Sequence, residues 1–166
     1  MLTLRRSGPR EDVRLLPASG RPVLLATIDV PFAEEASAFA VDAAVETGQP
    51  LVVVNVAEVV PSPSTLAGWG YIGSEELQAE LRKPAELAQS LAVQVERLRV
   101  CSPHPVDALL ELVAEREPGL LVFGPDRSKL RPRRYRKAAR AVRQRAPCLV
   151  WLGGGPDEEE TLTPRR

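Results

Sequence analysis

The sequence contains few of the residues that cross-link a protein or bind a metal. Among its 166 residues are two cysteines, Cys101 and Cys148, and one histidine, His104. The two thiols lack the spacing of a zinc site, and isolated cysteines in a chain without a secretory segment are typical of a reducing compartment. We therefore expect neither a disulfide nor a metal site, and a cytoplasmic protein.

Long apolar runs and an excess of either charge are also missing. No uncharged apolar run approaches the length of a membrane span, so no membrane association is expected. The chain has 22 basic and 22 acidic residues, but ten of the basic ones lie between Arg127 and Arg145, and an acidic run follows at 157–160. The net charge of zero therefore hides an uneven distribution of charge.

What the chain does contain is an alternation of apolar strands and amphipathic helices. Short β-branched runs predict strands over residues 23–28, 51–56, 93–100, 120–123 and 148–152. Helical spacing predicts helices over residues 33–47, 74–91, 105–118 and 132–145, with Pro84 expected to kink or split the second. This order predicts one α/β domain, a three-layer doubly wound sheet of five parallel strands with helices on both faces.

The two ends of the chain show no sustained apolar period. Residues 1–21 carry charges, glycines and prolines, and residues 153–166 begin with three glycines and continue into the acidic run. We predict a flexible N-terminal arm over 1–21, the domain over 22–152 and a flexible acidic tail over 153–166.

Four short features of the domain occur in a characteristic order. They are Asp29 at the end of the first strand, Asn55 and Val56 at the end of the second, Gly124 after the fourth, and Ala146, Pro147 and Cys148 before the fifth. In this order and spacing the chain resembles the universal stress protein family, α/β domains related to adenine-nucleotide alpha hydrolases. The resemblance implies the strand order 3-2-1-4-5 and a homodimer in which Leu149, Val150, Trp151 and Leu152 of the last strand form the interface.

The loop after the fourth strand departs from the ATP-binding branch of that family. There the pattern is glycine, two residues, glycine, nine residues, glycine, then serine or threonine, because glycines let backbone N–H groups approach phosphates. Gly124 matches, but Arg127, Lys137 and Ala138 occupy the other three positions, and Pro125 removes a backbone donor. We predict that Arg127 and Lys137 fill the space of the phosphates.

The residues implied to contact adenosine agree with the family pattern better than the phosphate loop does. The resemblance implies that Asp29 contacts the adenosine moiety and that the backbone of Val56 reads the adenine edge. Two plainer interpretations stay open, in which Asp29 caps the following helix and Val56 is ordinary core.

The basic helix carries six residues expected to point largely outward, Arg133, Arg134, Arg136, Lys137, Arg140 and Arg143. A solvated amphipathic face explains them most simply. Because no acidic residue lies between Arg127 and Arg145, like charges repel along the helix, and a counterpart is expected. Candidates are the acidic tail, a phosphorylated ligand and a polyanion. Nucleic-acid binding is not expected beyond weak, salt-sensitive attraction, since aromatic residues are few and no known nucleic-acid-recognition motif is present.

Taken together, these features predict a non-catalytic binding or regulatory domain of the stress response, without competent ATP binding and without a cofactor, acting with an unidentified protein partner. Two alternatives stay open. One is a nucleotide- or phosphate-ligand protein that uses Asp29 and the basic cluster to bind ATP or another adenine nucleotide, with slow hydrolysis. The other is a docking module for a polyanion or a partner protein.

Overall fold

The computed structural model describes residues 20–60 and 75–153. Within them the strands are β1 (Val23–Ile28), β2 (Leu51–Glu58), β3 (Val95–Ser102), β4 (Leu120–Phe123) and β5 (Leu149–Leu152), and the helices are α1 (Glu34–Thr47), α2 (Glu75–Ser90), α3 (Pro105–Arg116) and α4 (Pro132–Arg145). Apart from residues 20, 21 and 153, the predicted arm and tail lie outside the described residues. No helix in this part of the chain is long and apolar enough to cross a membrane.

The five strands form one parallel sheet in the order β3-β2-β1-β4-β5, which confirms the predicted fold. β1 suits the central position because its residues are apolar except for Thr27, so both of its faces can be covered. All six of its residues are buried. β1 pairs with β2 on one side and with β4 on the other, where the chain order of the strands reverses. The more polar β3 is an edge strand, as expected.

Two helices cover each face of the sheet. α1 and α2 pack with one side of the strands around Leu25, Val53 and Val122. α3 and α4 pack on the opposite side around Leu24, Val54 and Phe123. The two cores alternate along each strand because successive side chains point to opposite faces. The sheet therefore separates the basic helix α4 from α1 and α2.

The helix ends agree only in part with the sequence predictions. α1 ends at Gly48, whose φ of 65° is the expected left-handed conformation. α3 ends at Arg116 rather than before Gly119, because Glu117 adopts the left-handed conformation with φ 47°. Pro84 does not split α2, which runs as one helix with Pro84 buried. The third strand begins two residues later than predicted, at Val95.

Gly124 is required by helix packing. It follows β4, and a Cβ added to it would overlap the Cβ of Ala36, which is fully buried on α1. Its backbone carbonyl also accepts a hydrogen bond from the Ala33 N–H, just before α1, at 2.9 Å. The start of α1 packs directly against Gly124. Any side chain on residue 124 would therefore push the helix away from the sheet.

We predict that Gly124→Ala destabilises the protein by about 2 kcal/mol, the usual cost of overpacking a tight contact. The free energy of unfolding in urea measures it. Ala36→Gly removes the opposing methyl group and alone costs about 1 kcal/mol of helix propensity. The double variant should then be clearly more stable than the sum of the two single effects. Strict additivity would show that the Gly124–Ala36 contact does not limit the packing of α1.

Candidate functional site

The site expected for an open α/β sheet lies at the carboxyl ends of β1 and β4, where the strand order reverses. Asp29 directly follows β1, Glu58 ends β2, Gly124 follows β4, and Arg134 lies in the first turn of α4. The parallel register places the first three at the same edge of the sheet. The three charged groups of this edge thus come from three different parts of the chain, and Gly124 lies beside them.

Asp29 is held by the backbone of β2. Its φ of 57° is left-handed, a conformation that aspartate tolerates better than most residues. The Asp29 N–H donates to the Val56 carbonyl at 3.1 Å, and Asp29 Oδ1 accepts from the Glu58 N–H at 2.7 Å. Asp29 does not cap α1, whose N-cap residue is Ala33 with no side-chain cap. The capping interpretation is therefore wrong, and the aspartate instead ties β1 to β2.

Arg134 reaches from α4 to the same carboxylate. Its Nη2 donates to Asp29 Oδ2 at 2.5 Å and also contacts a carboxylate oxygen of Glu58. Asp29 and Arg134 are partly buried, with side chains 20% and 35% exposed, and Glu58 is more exposed at 41%. One guanidinium therefore bridges two carboxylates that would otherwise repel each other across the strand ends. We call Asp29, Glu58 and Arg134 the charged triad.

The prediction that Arg134 points outward is wrong. It occupies the helix turn beside the inward Tyr135, and from there its long side chain reaches the strand ends. Neither Arg134 nor Glu58 is among the site residues predicted from the sequence. The sequence does contain one signal for such a contact. Carboxylates at 29 and 58 follow the first two predicted strands, and no cation lies near either of them in the sequence.

The two loops at the switch point are joined to each other. The Ala33 N–H donates to the Gly124 carbonyl at 2.9 Å, and the Asp126 N–H donates to the Pro31 carbonyl at 2.8 Å. Between them Phe32 and Pro125 form an isolated antiparallel bridge. The loop after β1 and the loop after β4 therefore form a short two-stranded contact across the place where a ligand crevice would open.

Four backbone donors of the loop after β4 are used within the protein. The Gly124 N–H donates to the Ala26 carbonyl at 3.0 Å and the Asp126 N–H to Pro31, while Pro125 has none. The Ser128 N–H donates to Asp126 Oδ1 at 3.0 Å, and the Lys129 N–H to the Asp126 carbonyl at 3.1 Å. A phosphate cradle needs converging amides with no internal acceptor, and this loop does not supply them.

The remaining predicted site residues are not brought together. The Arg127 guanidinium lies 4.4 Å from the ring centroid of Tyr135, and its side chain is exposed. Lys137 is exposed on α4. The Val56 side chain is fully buried in the core, as the plainer interpretation has it, and its carbonyl accepts from Asp29. Of the five residues, Asp29 and Val56 are hydrogen-bonded neighbours and Gly124 lies on the same edge.

A cavity of about 210 Å³ opens beside the joined loops. Its lining residues are Ala33, Glu34, Glu35, Pro125, Asp126, Arg127, Ser128 and Gly153. Three carboxylates face one guanidinium here, so the formal charge of the lining is negative.

Burial raises the pKa of Tyr135, an effect that nearby Arg127 and Arg143 partly oppose. Burial also raises the pKa of Cys148, which precedes β5 at the opposite end of the sheet. Both groups therefore keep their protons at neutral pH. Among residues 20–60 and 75–153, no cluster of three histidine, cysteine or acidic side chains could hold a metal ion.

A doubly wound parallel sheet with charged groups gathered at its switch point defines an α/β domain of the nucleotide-binding type. The chain belongs to the universal stress protein family, because the sequence model of that family matches residues 20–152. No match was found among curated protein sequences.

Solved structures of this family have the same fold. A protein of the universal stress protein family from Burkholderia pseudomallei is 18% identical, with a TM-score of 0.59 over 84% of this chain and 100% of that one. The universal stress protein from Archaeoglobus fulgidus in complex with dAMP is 19% identical, with a TM-score of 0.53 over 80% and 97% of the two chains. A family protein from Arabidopsis thaliana with AMP bound is 13% identical, with a TM-score of 0.55 over 83% and 94%.

We predict that Arg134→Ala lowers the free energy of unfolding by about 1 kcal/mol, because it leaves two neighbouring carboxylates without their shared donor. The matched control is Arg133→Ala, which removes the adjacent, exposed arginine of the same turn and should leave stability close to unchanged. Urea denaturation at neutral pH measures both variants. Equal effects of the two substitutions would contradict a structural role for the triad.

Proposed function

We propose that this universal stress protein domain is a non-catalytic binding or regulatory module of the stress response, in which the nucleotide site of the fold is occupied by the protein's own groups. The observation that carries the proposal is the charged triad. Arg134 contacts Asp29 at the position where the resemblance implies an adenosine contact. The aspartate that would receive a ligand is thus already neutralised by an internal partner.

The loop after β4 supports the same conclusion. Its amides are bonded to Ala26, Pro31 and Asp126, so binding of a phosphate would require breaking hydrogen bonds that the fold already contains. Each such bond contributes about 1 kcal/mol, and the cavity beside it has a negative formal charge. Arginines at 127 and 134 do not replace the lost donors, because one stacks on Tyr135 and the other contacts carboxylates.

The proposal extends to a cytoplasmic homodimer that works through an unidentified protein partner. β5 is an edge strand that pairs only with β4 among the described strands, which leaves its other edge open for a second copy. Val150 and Leu152 are largely buried within the protomer, and Trp151 stacks on Phe39 with 4.7 Å between ring centroids. The contact between copies would therefore use the β5 backbone edge and the exposed part of Leu149.

The nucleotide prediction is tested by calorimetry and thermal unfolding with ATP, AMP and cAMP. We expect no saturable binding and no rise in melting temperature at millimolar nucleotide, because the donors are engaged internally. Arg134→Ala removes the internal partner of Asp29, so it tests whether the contact between Arg134 and Asp29 prevents nucleotide binding. Arg133→Ala is its matched control. Saturable binding to the wild-type protein that is lost in Asp29→Ala would instead establish the alternative, a nucleotide-binding protein that uses Asp29.

The dimer prediction is tested by replacing an exposed leucine on β5. Leu149→Glu places a charge on the open edge and should convert the dimer into a monomer, as seen by light scattering after gel filtration. Leu87→Glu is the matched control, because Leu87 is similarly exposed but lies on α2. A wild-type protein that is monomeric at micromolar concentration, or a Leu149→Glu variant that stays dimeric, would contradict the interface.

A further inference from the structure

The outer face of α4 carries a continuous row of cations. Arg133, Arg136, Lys137 and Arg140 are exposed and spaced i, i+3, i+4 and i+7, so they form one stripe along the helix. We call these four residues the basic stripe. Its length is about 10 Å at the rise of an α-helix.

The other charges of the described structure do not neutralise this stripe. Arg134 is engaged in the charged triad, and Arg145 pairs with Asp107 at 2.7 Å. No carboxylate of residues 20–60 and 75–153 lies within 4 Å of the four stripe residues. Pairs of like charges at i, i+3 and i+4 each cost a few tenths of a kcal/mol, and no carboxylate of the described part of the chain pairs with these four cations.

The position of the basic stripe on the helix makes a nearby anion more favourable. Its first member lies in the first turn of α4, where the helix dipole already has its positive end. That turn contains no acidic residue, and the N-cap residue Arg131 makes no side-chain cap. An acidic group near this end of α4 would therefore interact favourably with the dipole and with the arginines.

The chain itself brings an acidic segment to this place. β5 runs antiparallel to α4, so its end lies beside the helix start, and the Gly153 carbonyl is 3.5 Å from the Tyr135 hydroxyl. Asp157 follows Gly153 by four residues, which span at most about 14 Å when extended. Glu160 follows Gly153 by seven residues, at most about 24 Å of extended chain, which is enough to pass around a helix about 10 Å in diameter and to extend along the stripe.

We propose that the acidic run 157–160 docks on the basic stripe of the same chain and screens it from other polyanions. Four carboxylates face four cations, and the short tether keeps them at millimolar effective concentration. A polyanion in solution would have to displace the tail before it reached the stripe.

Carbodiimide cross-linking tests the contact, because the reagent joins a carboxylate directly to a lysine amine. The chain has three lysines, of which Lys137 lies in the stripe, Lys129 precedes α4 and Lys83 lies exposed on α2, across the sheet. We expect mass spectrometry to find the acidic run linked to Lys137 in monomer-sized protein and not to Lys83. In 0.5 M NaCl the yield should fall about fivefold. Lys137→Arg keeps the charge and should abolish the link.

Neutralising the run as Asp157→Asn, Glu158→Gln, Glu159→Gln and Glu160→Gln tests the screening. The matched control neutralises four exposed carboxylates of α1 and α2, as Glu46→Gln, Glu75→Gln, Glu76→Gln and Glu86→Gln. At low salt the tail variant should bind inorganic polyphosphate about tenfold more tightly than the control variant, as measured by titration. Equal affinities, absence of the link to Lys137, equal linking to Lys83, or a link found only in dimer-sized protein would each overturn the proposal.

Discussion

The interaction on which the site depends is the contact of one guanidinium with two carboxylates at the carboxyl edge of the sheet. Asp29 and Glu58 are brought together because β1 and β2 are parallel neighbours in register, and an unbridged pair would repel. Arg134 neutralises this repulsion and at the same time attaches α4 to the strand ends. Charged side chains at the carboxyl edge of the sheet thereby connect two strands and a helix.

The packing of the fold accounts for Gly124 without reference to a ligand. Gly124 occurs where a phosphate-binding loop would begin, yet its lack of a side chain is explained by its close contact with Ala36. The glycine thus satisfies a packing requirement of the fold. A glycine at this position is evidence for the fold and is weak evidence for a nucleotide.

The basic helix divides its cations between two kinds of environment. Arg134 is partly buried against carboxylates, and Arg127 covers the face of Tyr135, so both are used inside the described structure. The basic stripe on the outer face has no such partner among the described residues. A helix of this composition is stable in the protein because Tyr135, Ala138, Ala139 and Val142 anchor its inner face in the core, which outweighs repulsion among exposed charges.

The sequence by itself determined the number and type of elements, the parallel sheet and the family, because continuous β-branched runs and helical periodicity are local signals. It also identified Asp29 and Gly124 as residues at strand ends. Only the tertiary structure decided what these residues do. Arg134 lies 105 residues from Asp29 along the chain, and which of several neighbouring arginines turns inward depends on the exact rotation of α4 over the sheet. Helical periodicity indicates the inner face of α4 but not its exact rotation, which is set by how the two cores pack.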